Sequence, residues 1–346
     1  LFQMVSDDGV TRSMAEEMRV NTTTTFETGL LRGTKRRAPG TPYVVPYKGK
    51  NLSGAELCAQ ADRWVAYGTI EPSAGEAIKR VANNPDQFLD LSDEYFVLLG
   101  ATSAMGPLLA LLELGANIVA VDLNRPFIWN KLIAAVKNSP GTMYYPLPET
   151  MPQSEIDESK IAALAGCNLL TDTARIRNWL VDFMPTKRLT IGGYAYLDGA
   201  LHVQLAVSMD AIMAGVSARR ADTRLCFLCS PTDVFANADE AVLDAQKNYK
   251  NAPAWQKLFE NLGVLKPNVG RPVPSDNDTN VTIVNGLVVQ QGPNYALAKR
   301  IQHWRAMLCR AGRQTVSTNI APSTATASVV HNSSFAAAYG GMHKFK

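Results

Sequence analysis

The amino-acid sequence predicts an α/β protein whose core is a doubly wound parallel sheet. From Glu94 onward, short apolar runs alternate with helical patterns, as is typical of βαβ units. A turn of small residues at positions 100–106 lies between the first such run and the next helix. The chain has 346 residues, of which 46% are hydrophobic and 19% charged. This composition is that of a globular protein with a sizeable buried core.

The predicted sheet elements follow one another along residues 93–330. The strands are expected at residues 95–99, 117–121, 142–147, 189–196, 224–229 and 314–320. The helices are expected at residues 107–114, 128–136, 173–183, 202–218 and 295–309. Each strand is short and apolar, and each helix carries apolar residues at helical spacing. We therefore predict one large domain over this range.

Three further segments flank or interrupt that domain. Residues 1–92 are expected to form an N-terminal extension: an extended arm over 1–50, then helices at 55–67 and 75–82. Residues 237–280 hold two short helical patterns and a polar, proline-containing stretch, which indicates an insertion. A strand is expected at 281–289, and residues 331–346 form a C-terminal tail.

Charge and cysteine content exclude several classes of protein. Lys and Arg total 34 and Asp and Glu 31, a net charge of +3 that does not indicate a nucleic-acid partner. The sequence shows no uninterrupted apolar stretch of about 20 residues, so no transmembrane segment is expected. Five scattered cysteines suit reduced thiols, which indicates the cytoplasm or an organelle matrix or stroma. The first residues lack the pattern of a secretory signal, so secretion is not expected.

The turn at residues 100–106 has the composition of a dinucleotide-binding turn. Glycine allows a tight turn out of the strand, small residues let backbone amides approach a pyrophosphate, and a helix start supplies further N–H groups. Asp122 ends the second predicted strand, where a carboxylate hydrogen-bonds a ribose 2′-hydroxyl and repels a 2′-phosphate. The residues predicted to hold the cofactor are Gly100, Thr102, Ser103, Met105, Gly106 and Asp122.

These residues favour NAD(H) over NADP(H). Arg125, close behind Asp122, keeps NADP(H) open because a cationic side chain can bind a 2′-phosphate. An α/β domain with a glycine turn and no nucleotide is the alternative. The four histidines share no close spacing with cysteine or carboxylate partners, so no metal site is expected.

A second motif follows near the C-terminus. Tyr295 and Lys299 lie four residues apart in a predicted helix, and Asn319-Ile-Ala-Pro322 follows the next strand. With the glycine turn, this arrangement resembles the short-chain dehydrogenase/reductase family over residues 93–330. The strand that ends before Ser230 is also similar to ketoreductase domains of fatty-acid and polyketide synthases. The resemblance implies a Rossmann fold and an NAD(P)(H)-dependent oxidoreductase.

The Tyr295–Lys299 spacing has a chemical reason of its own. A lysine one helical turn after a tyrosine lies on the same face, and its ammonium favours the phenolate. Tyr295 is then the predicted acid/base for a carbonyl–alcohol interconversion, with Lys299 as its activator. Ser230, at a strand's carboxyl end, is the candidate donor to the substrate oxygen, with Thr232 second.

Two functions stay open from sequence. The first is a ketoreductase-like oxidoreductase acting on a small carbonyl substrate, with residues 237–280 as a lid. The second is a catalytically silent subunit of a larger complex, with or without a bound nucleotide. Ser103 or Ala104 in place of the middle glycine, and Ser208 in place of a helix asparagine, favour the second. The resemblance also implies a homo-oligomer.

Overall fold

The computed structural model describes residues 3–5, 9–38, 40–150, 156–230, 232–266, 270–274 and 280–320, together with Ser333 and Ala337. Pro322 and, apart from these two residues, the predicted tail 331–346 lie outside the described residues.

Strands and helices alternate through most of the described chain. The strands are β1 (Gln3–Val5), β2 (Thr11–Ser13), β3 (Glu27–Arg32), β4 (Val45–Tyr47), β5 (Lys50–Leu52), β6 (Tyr95–Leu99), β7 (Asn117–Val121), β8 (Thr142–Leu147), β9 (Leu189–Gly193), β10 (Arg224–Cys229), β11 (Val234–Asn237), β12 (Arg271–Pro274), β13 (Asn280–Asn285) and β14 (Val316–Ile320). The helices are α1 (Met14–Val20), α2 (Gly54–Tyr67), α3 (Pro72–Asn83), α4 (Pro85–Phe88), α5 (Leu108–Glu113), α6 (Pro126–Lys137), α7 (Ile161–Leu164), α8 (Thr173–Asp182), α9 (Ala200–Ser217), α10 (Asp239–Lys250), α11 (Ala254–Asn261) and α12 (Pro293–Ala311).

A seven-stranded sheet runs in the order β14-β10-β9-β6-β7-β8-β3. The pairs β10–β9, β9–β6, β6–β7 and β7–β8 are parallel, and β3 pairs antiparallel with β8. The predicted α/β class is confirmed, and the central sheet, predicted to be parallel, is mostly parallel with one antiparallel edge strand. Strands buried on both faces have continuous apolar sequences, as β6 and β7 do.

Helices cover both faces of this sheet. Along β6, Val97 belongs to a core cluster that includes Ile212 of α9, whereas its neighbour Leu98 belongs to a second cluster that includes Leu132 of α6. Successive side chains of a strand point to opposite faces, so the two clusters are two cores separated by the sheet. The arrangement is consistent with a Rossmann-like fold.

The N-terminal segment adds a strand that the sequence did not reveal. β3 lies in the region expected to be an extended arm, yet it forms the edge of the central sheet. Gly29 is required there, because a Cβ would collide with the ring of Tyr145 on β8. Behind it, the buried Arg177 of α8 donates to the carbonyl oxygens of Met18 (2.9 Å) and Asn21 (2.6 Å) and so holds the end of α1.

Several helices begin earlier than their apolar pattern suggests. α3, α6 and α12 start at Pro72, Pro126 and Pro293. A proline at the first helical position loses no intrahelical hydrogen bond and has a suitable φ, so it belongs to the helix although the pattern begins later. β9 and β13 end earlier than predicted, at Gly193 and Asn285.

The chain divides into two compact units. The first comprises Leu1–Tyr43, Asn83–Cys229 and Leu297–Asn319, and the second comprises Val44–Ala82, Ser230–Ala296 and Ile320–Lys346. The first unit contains the central sheet. The second contains the β4–β5 hairpin, an antiparallel sheet of order β11-β13-β12 and helices α2, α3, α10 and α11. The predicted insertion, residues 237–280, falls within the second unit.

Helix α9 is apolar along most of its length. Within the described residues it is the one helix long and apolar enough to cross a membrane by length and composition, and half of it is buried in the protein. Met209, Ile212 and Val216 belong to the core beside the central sheet. The apolar character of α9 is therefore that of a core helix.

Candidate functional site

The turn after β6 is packed tightly against the loop after β9. Gly100 has a φ of +90°, and a Cβ at this position would lie 2.6 Å from the Cα of Ala195. The backbone amides of Tyr194 and Ala195 both donate to the carbonyl oxygen of Leu99, which ends β9 early. Only glycine satisfies both the backbone conformation and this approach.

Asp122 closes the same turn from the end of β7. Its Oδ2 accepts hydrogen bonds from the backbone amide of Thr102 (2.8 Å) and from the hydroxyl of Thr102 (2.7 Å). Its Oδ1 accepts from the backbone amide of Leu123 (2.8 Å). Thr102 is exposed and Asp122 partly exposed. The structure thus brings together two of the predicted cofactor residues.

Most amides of the turn already have protein partners. Ala101 donates to Val121, Ser103 to the carbonyl oxygen of Gly100, and Gly106 to that of Ser103. Ser103, Met105 and Gly106 are partly buried. The helix behind the turn, α5, is six residues long. The turn therefore offers fewer N–H groups to a pyrophosphate than the sequence pattern predicts.

A cavity of about 410 Å³ lies beside Asp122, beyond the ends of β7 and β8. It is lined by Phe26, Leu123, Asn124, Arg125, Pro148, Leu164, Gly166, Cys167, Asn168, Asp172 and Arg175. The residues present fit the adenosine end of a dinucleotide, because a polar wall adjoins a carboxylate that can accept ribose hydroxyls.

Two arginines give this cavity positive charge. Arg125 is exposed. Arg175 donates through Nε to the carbonyl oxygen of Thr25, and its guanidinium lies 3.9 Å from the centre of the Phe26 ring. Asp172 opposes them and accepts from the amide of Asn168 (2.7 Å). Sequence reasoning named only Arg125, because Arg175 and Asp172 follow a long loop after β8 with no motif of their own.

Lys299 lies on α12 within the first unit and reaches the end of β10. Its Nζ donates to the carbonyl oxygen of Leu228 (3.1 Å) and to Oε1 of Gln302 (3.3 Å). Burial lowers the pKa of Lys299 to about 8, and Cys229 opposes the shift. The amine therefore loses its proton near pH 8 rather than near 10.5.

His202, at the start of α9, is a buried residue that sequence reasoning missed. Its ring lies 4.6 Å from the ring of Tyr196, whose hydroxyl donates to Asp198 (2.9 Å). Burial, and then the charge of Lys299, lower the pKa of His202 to about 4, with Asp198 opposing. At neutral pH the imidazole is uncharged. Its place in the first turn of the helix that follows β9 was the available signal.

Ser230 and Tyr295 belong to the second unit. Ser230 is buried, and its hydroxyl shares a hydrogen bond of 2.8 Å with that of Thr232. The amide of Gln291 donates to Ser230 (3.4 Å), and the hydroxyl of Thr232 donates to Gln291. Tyr295 is partly buried in the first turn of α12. The catalytic set that joins these residues to Lys299 stays a prediction.

The fold is that of an α/β protein with a mostly parallel central sheet, which is consistent with a Rossmann-like fold. No family model matches the chain, and neither a curated protein nor a solved structure matches it. Among the described residues, no three His, Cys, Asp or Glu side chains are grouped as metal ligands.

Proposed function

We propose that this chain is an NAD(P)(H)-dependent oxidoreductase that interconverts a carbonyl and a secondary alcohol, with NAD(H) as the favoured cofactor. The strand order around the glycine turn carries the proposal. Six strands of the central sheet are numbered here 1 to 6 in chain order: β6, β7, β8, β9, β10 and β14. Across the sheet they lie in the order 3-2-1-4-5-6. In sheets of this order, dinucleotides bind where the order reverses, at the carboxyl ends of the strands. The Gly100 turn follows the strand at that reversal.

The adenosine end of the cofactor is assigned to Asp122 and the adjoining cavity. The Asp122 carboxylate accepts hydrogen bonds from ribose hydroxyls, and its charge disfavours a 2′-phosphate. Asn124 and Asn168 supply polar groups on the cavity wall. Gly100, which has no Cβ, keeps the turn close to the sheet. When bound, the cofactor supplies or accepts the hydride at the carbonyl carbon.

The proton transfer to and from the substrate oxygen is assigned to Tyr295. A tyrosine that donates to the carbonyl oxygen needs help in re-ionising near neutral pH, and a lysine one turn further along α12 supplies positive charge for that purpose. With a pKa of about 8, Lys299 is still mostly protonated at neutral pH and so carries the positive charge that this role needs. The Ser230 hydroxyl is the proposed donor to the substrate oxygen.

A second candidate is a catalytically silent subunit of a larger complex, with or without a bound nucleotide. The hydrogen bonds of Lys299 to Leu228 and Gln302 favour it, as do those of Ser230 with Thr232 and Gln291. In this case the same side chains stabilise the ends of β10 and α12.

Titration of the full chain with NADH and with NADPH tests the proposal. Cofactor fluorescence gives Kd, and thermal unfolding gives an independent measure, since ligand binding to the native state raises Tm. We expect NADH to bind more tightly than NADPH, and carbonyl reduction that Tyr295→Phe abolishes while NADH still binds. Binding with no turnover on any carbonyl supports the second candidate. No binding of either cofactor contradicts the oxidoreductase and leaves a silent subunit without a nucleotide.

A further inference from the structure

The hydrogen bonds on Asp122 leave little room for a ribose. Its two oxygens already accept three hydrogen bonds, from the amide of Thr102, the hydroxyl of Thr102 and the amide of Leu123. A carboxylate has about four lone-pair positions. A ribose that presents both its 2′- and 3′-hydroxyls brings two more donors. Three existing donors and two new ones exceed the capacity of the carboxylate, so one of the existing bonds has to break.

The bond that breaks is the one from the Thr102 hydroxyl. The Thr102 amide is fixed by the turn, which Gly100 and Val121 hold through backbone hydrogen bonds. The Leu123 amide lies next to Asp122 in the chain and is equally fixed. The Thr102 hydroxyl, in contrast, swings away by rotation about a single side-chain bond. Thr102 is exposed, so water can take the place of the carboxylate as partner of the displaced hydroxyl.

We infer that the Thr102 hydroxyl competes with the ribose of a bound dinucleotide for Asp122, and that Thr102 is therefore an affinity- and specificity-determining residue. The inference rests on the proposed cofactor site. When NADH binds, the hydrogen bond from the Thr102 hydroxyl to the Asp122 carboxylate is lost, and a hydrogen bond from the ribose replaces it. A nucleotide whose 2′-position carries phosphate has no 2′-hydroxyl to donate, so its affinity depends much less on this exchange.

The test compares Thr102→Val with Thr102→Ser. Valine has the shape of threonine and keeps the backbone amide bond but lacks the hydroxyl, whereas serine keeps it. Kd for NADH and for NADPH is measured by calorimetry or cofactor fluorescence on the full chain. We expect Thr102→Val to bind NADH about tenfold more tightly than the unmodified chain, with Kd for NADPH changed less than twofold. Thr102→Ser is expected to resemble the unmodified chain.

The possible results separate the inference from the proposed function. An NADH Kd that is unchanged or weaker in Thr102→Val overturns the inference, while the binding itself upholds the cofactor site. No binding of either nucleotide to any variant overturns both. If valine lowers Tm, Thr102→Ala, which removes the hydroxyl without adding bulk, repeats the measurement. An equal fall in Kd for NADH and for NADPH also contradicts the inference, because the effect of the Thr102 hydroxyl is then unrelated to the 2′-hydroxyl of the ribose.

Discussion

The ammonium of Lys299 donates a 3.1 Å hydrogen bond to the carbonyl oxygen of Leu228 and so ties α12 to the end of β10. The bond joins two parts of the first unit that are far apart in the chain. It also keeps a cation in partly buried surroundings, since burial lowers the pKa of this amine to about 8. A buried cation weakens the native state unless its partners compensate for lost hydration. Lys299 therefore makes the free energy of unfolding depend on pH.

Lys299→Met is expected to remove this pH dependence of the free energy of unfolding. In the native state the amine loses its proton near pH 8, whereas in the unfolded chain it keeps it to about 10.5. The unfolded state binds more protons between these values, so the free energy of unfolding rises with pH there, by about 2–3 kcal/mol. Urea denaturation at intervals from pH 7 to 10.5 measures the rise. The variant should lack this contribution, and Lys131→Met, at an exposed position, should retain it. Parallel curves for Lys299→Met and the unmodified chain would contradict the assignment.

The parallel strands of the central sheet could be predicted from the sequence. The bounds of β6, β7 and β8 agree with the apolar runs, because strands buried on both faces carry an unbroken signal. The bounds of β10 agree as well, although one of its faces is only partly buried. The sequence was not sufficient for β3, whose mixed pattern depends on pairing with a strand more than a hundred residues away.

The candidate site was predictable to a similar degree. The places of Gly100 and Asp122 follow from strand, turn and strand in succession. The bond between Asp122 and Thr102 does not, because it depends on the side-chain conformation that the folded turn selects. The contribution of Arg175 to the cavity depends on a long loop, and one partner of Lys299 is a main-chain carbonyl that no motif records.

Titration of His202 should account for much of the loss in the free energy of unfolding between pH 6.5 and 4. Its pKa in the native state is about 4, below the ordinary value of 6.5. Between these values the unfolded chain takes up a proton that the native state does not. The free energy of unfolding therefore falls as the pH drops from 6.5 to 4, by about 3 kcal/mol, and the contribution is fully present above 6.5.

Two uncharged replacements separate titration from packing at His202. His202→Gln and His202→Leu should each lose the pH dependence between 6.5 and 4, even if their stabilities at pH 7 differ. Chemical denaturation at four pH values is enough to compare the slopes. A slope retained in both variants would assign the acid sensitivity to other groups.

Gly100→Ala should destabilise the protein far more than an alanine at another left-handed glycine. At Gly100 the new Cβ meets the backbone of Ala195 at 2.6 Å, in addition to the unfavourable φ of +90°. Gly115 has a φ of +79° and nothing within 4 Å of its would-be Cβ. We expect a loss of about 1 kcal/mol for Gly115→Ala and roughly 2–4 kcal/mol for Gly100→Ala, measured by urea denaturation. Equal losses would mean that the turn moves away from the loop after β9 without cost.

Asp122→Asn should reverse the cofactor preference. Asparagine keeps an oxygen that accepts from the amide of Thr102, so the turn is expected to stay closed, but it removes the negative charge. A ribose hydroxyl then donates to a neutral acceptor, and a 2′-phosphate is no longer repelled. We expect Kd for NADH to rise about tenfold and Kd for NADPH to fall by a similar factor. Asp222→Asn, at an exposed position in the first unit, should change neither constant. A preference unchanged in Asp122→Asn would mean that the carboxylate serves the turn alone, and that ribose selection lies with the cavity wall around Arg125 and Arg175.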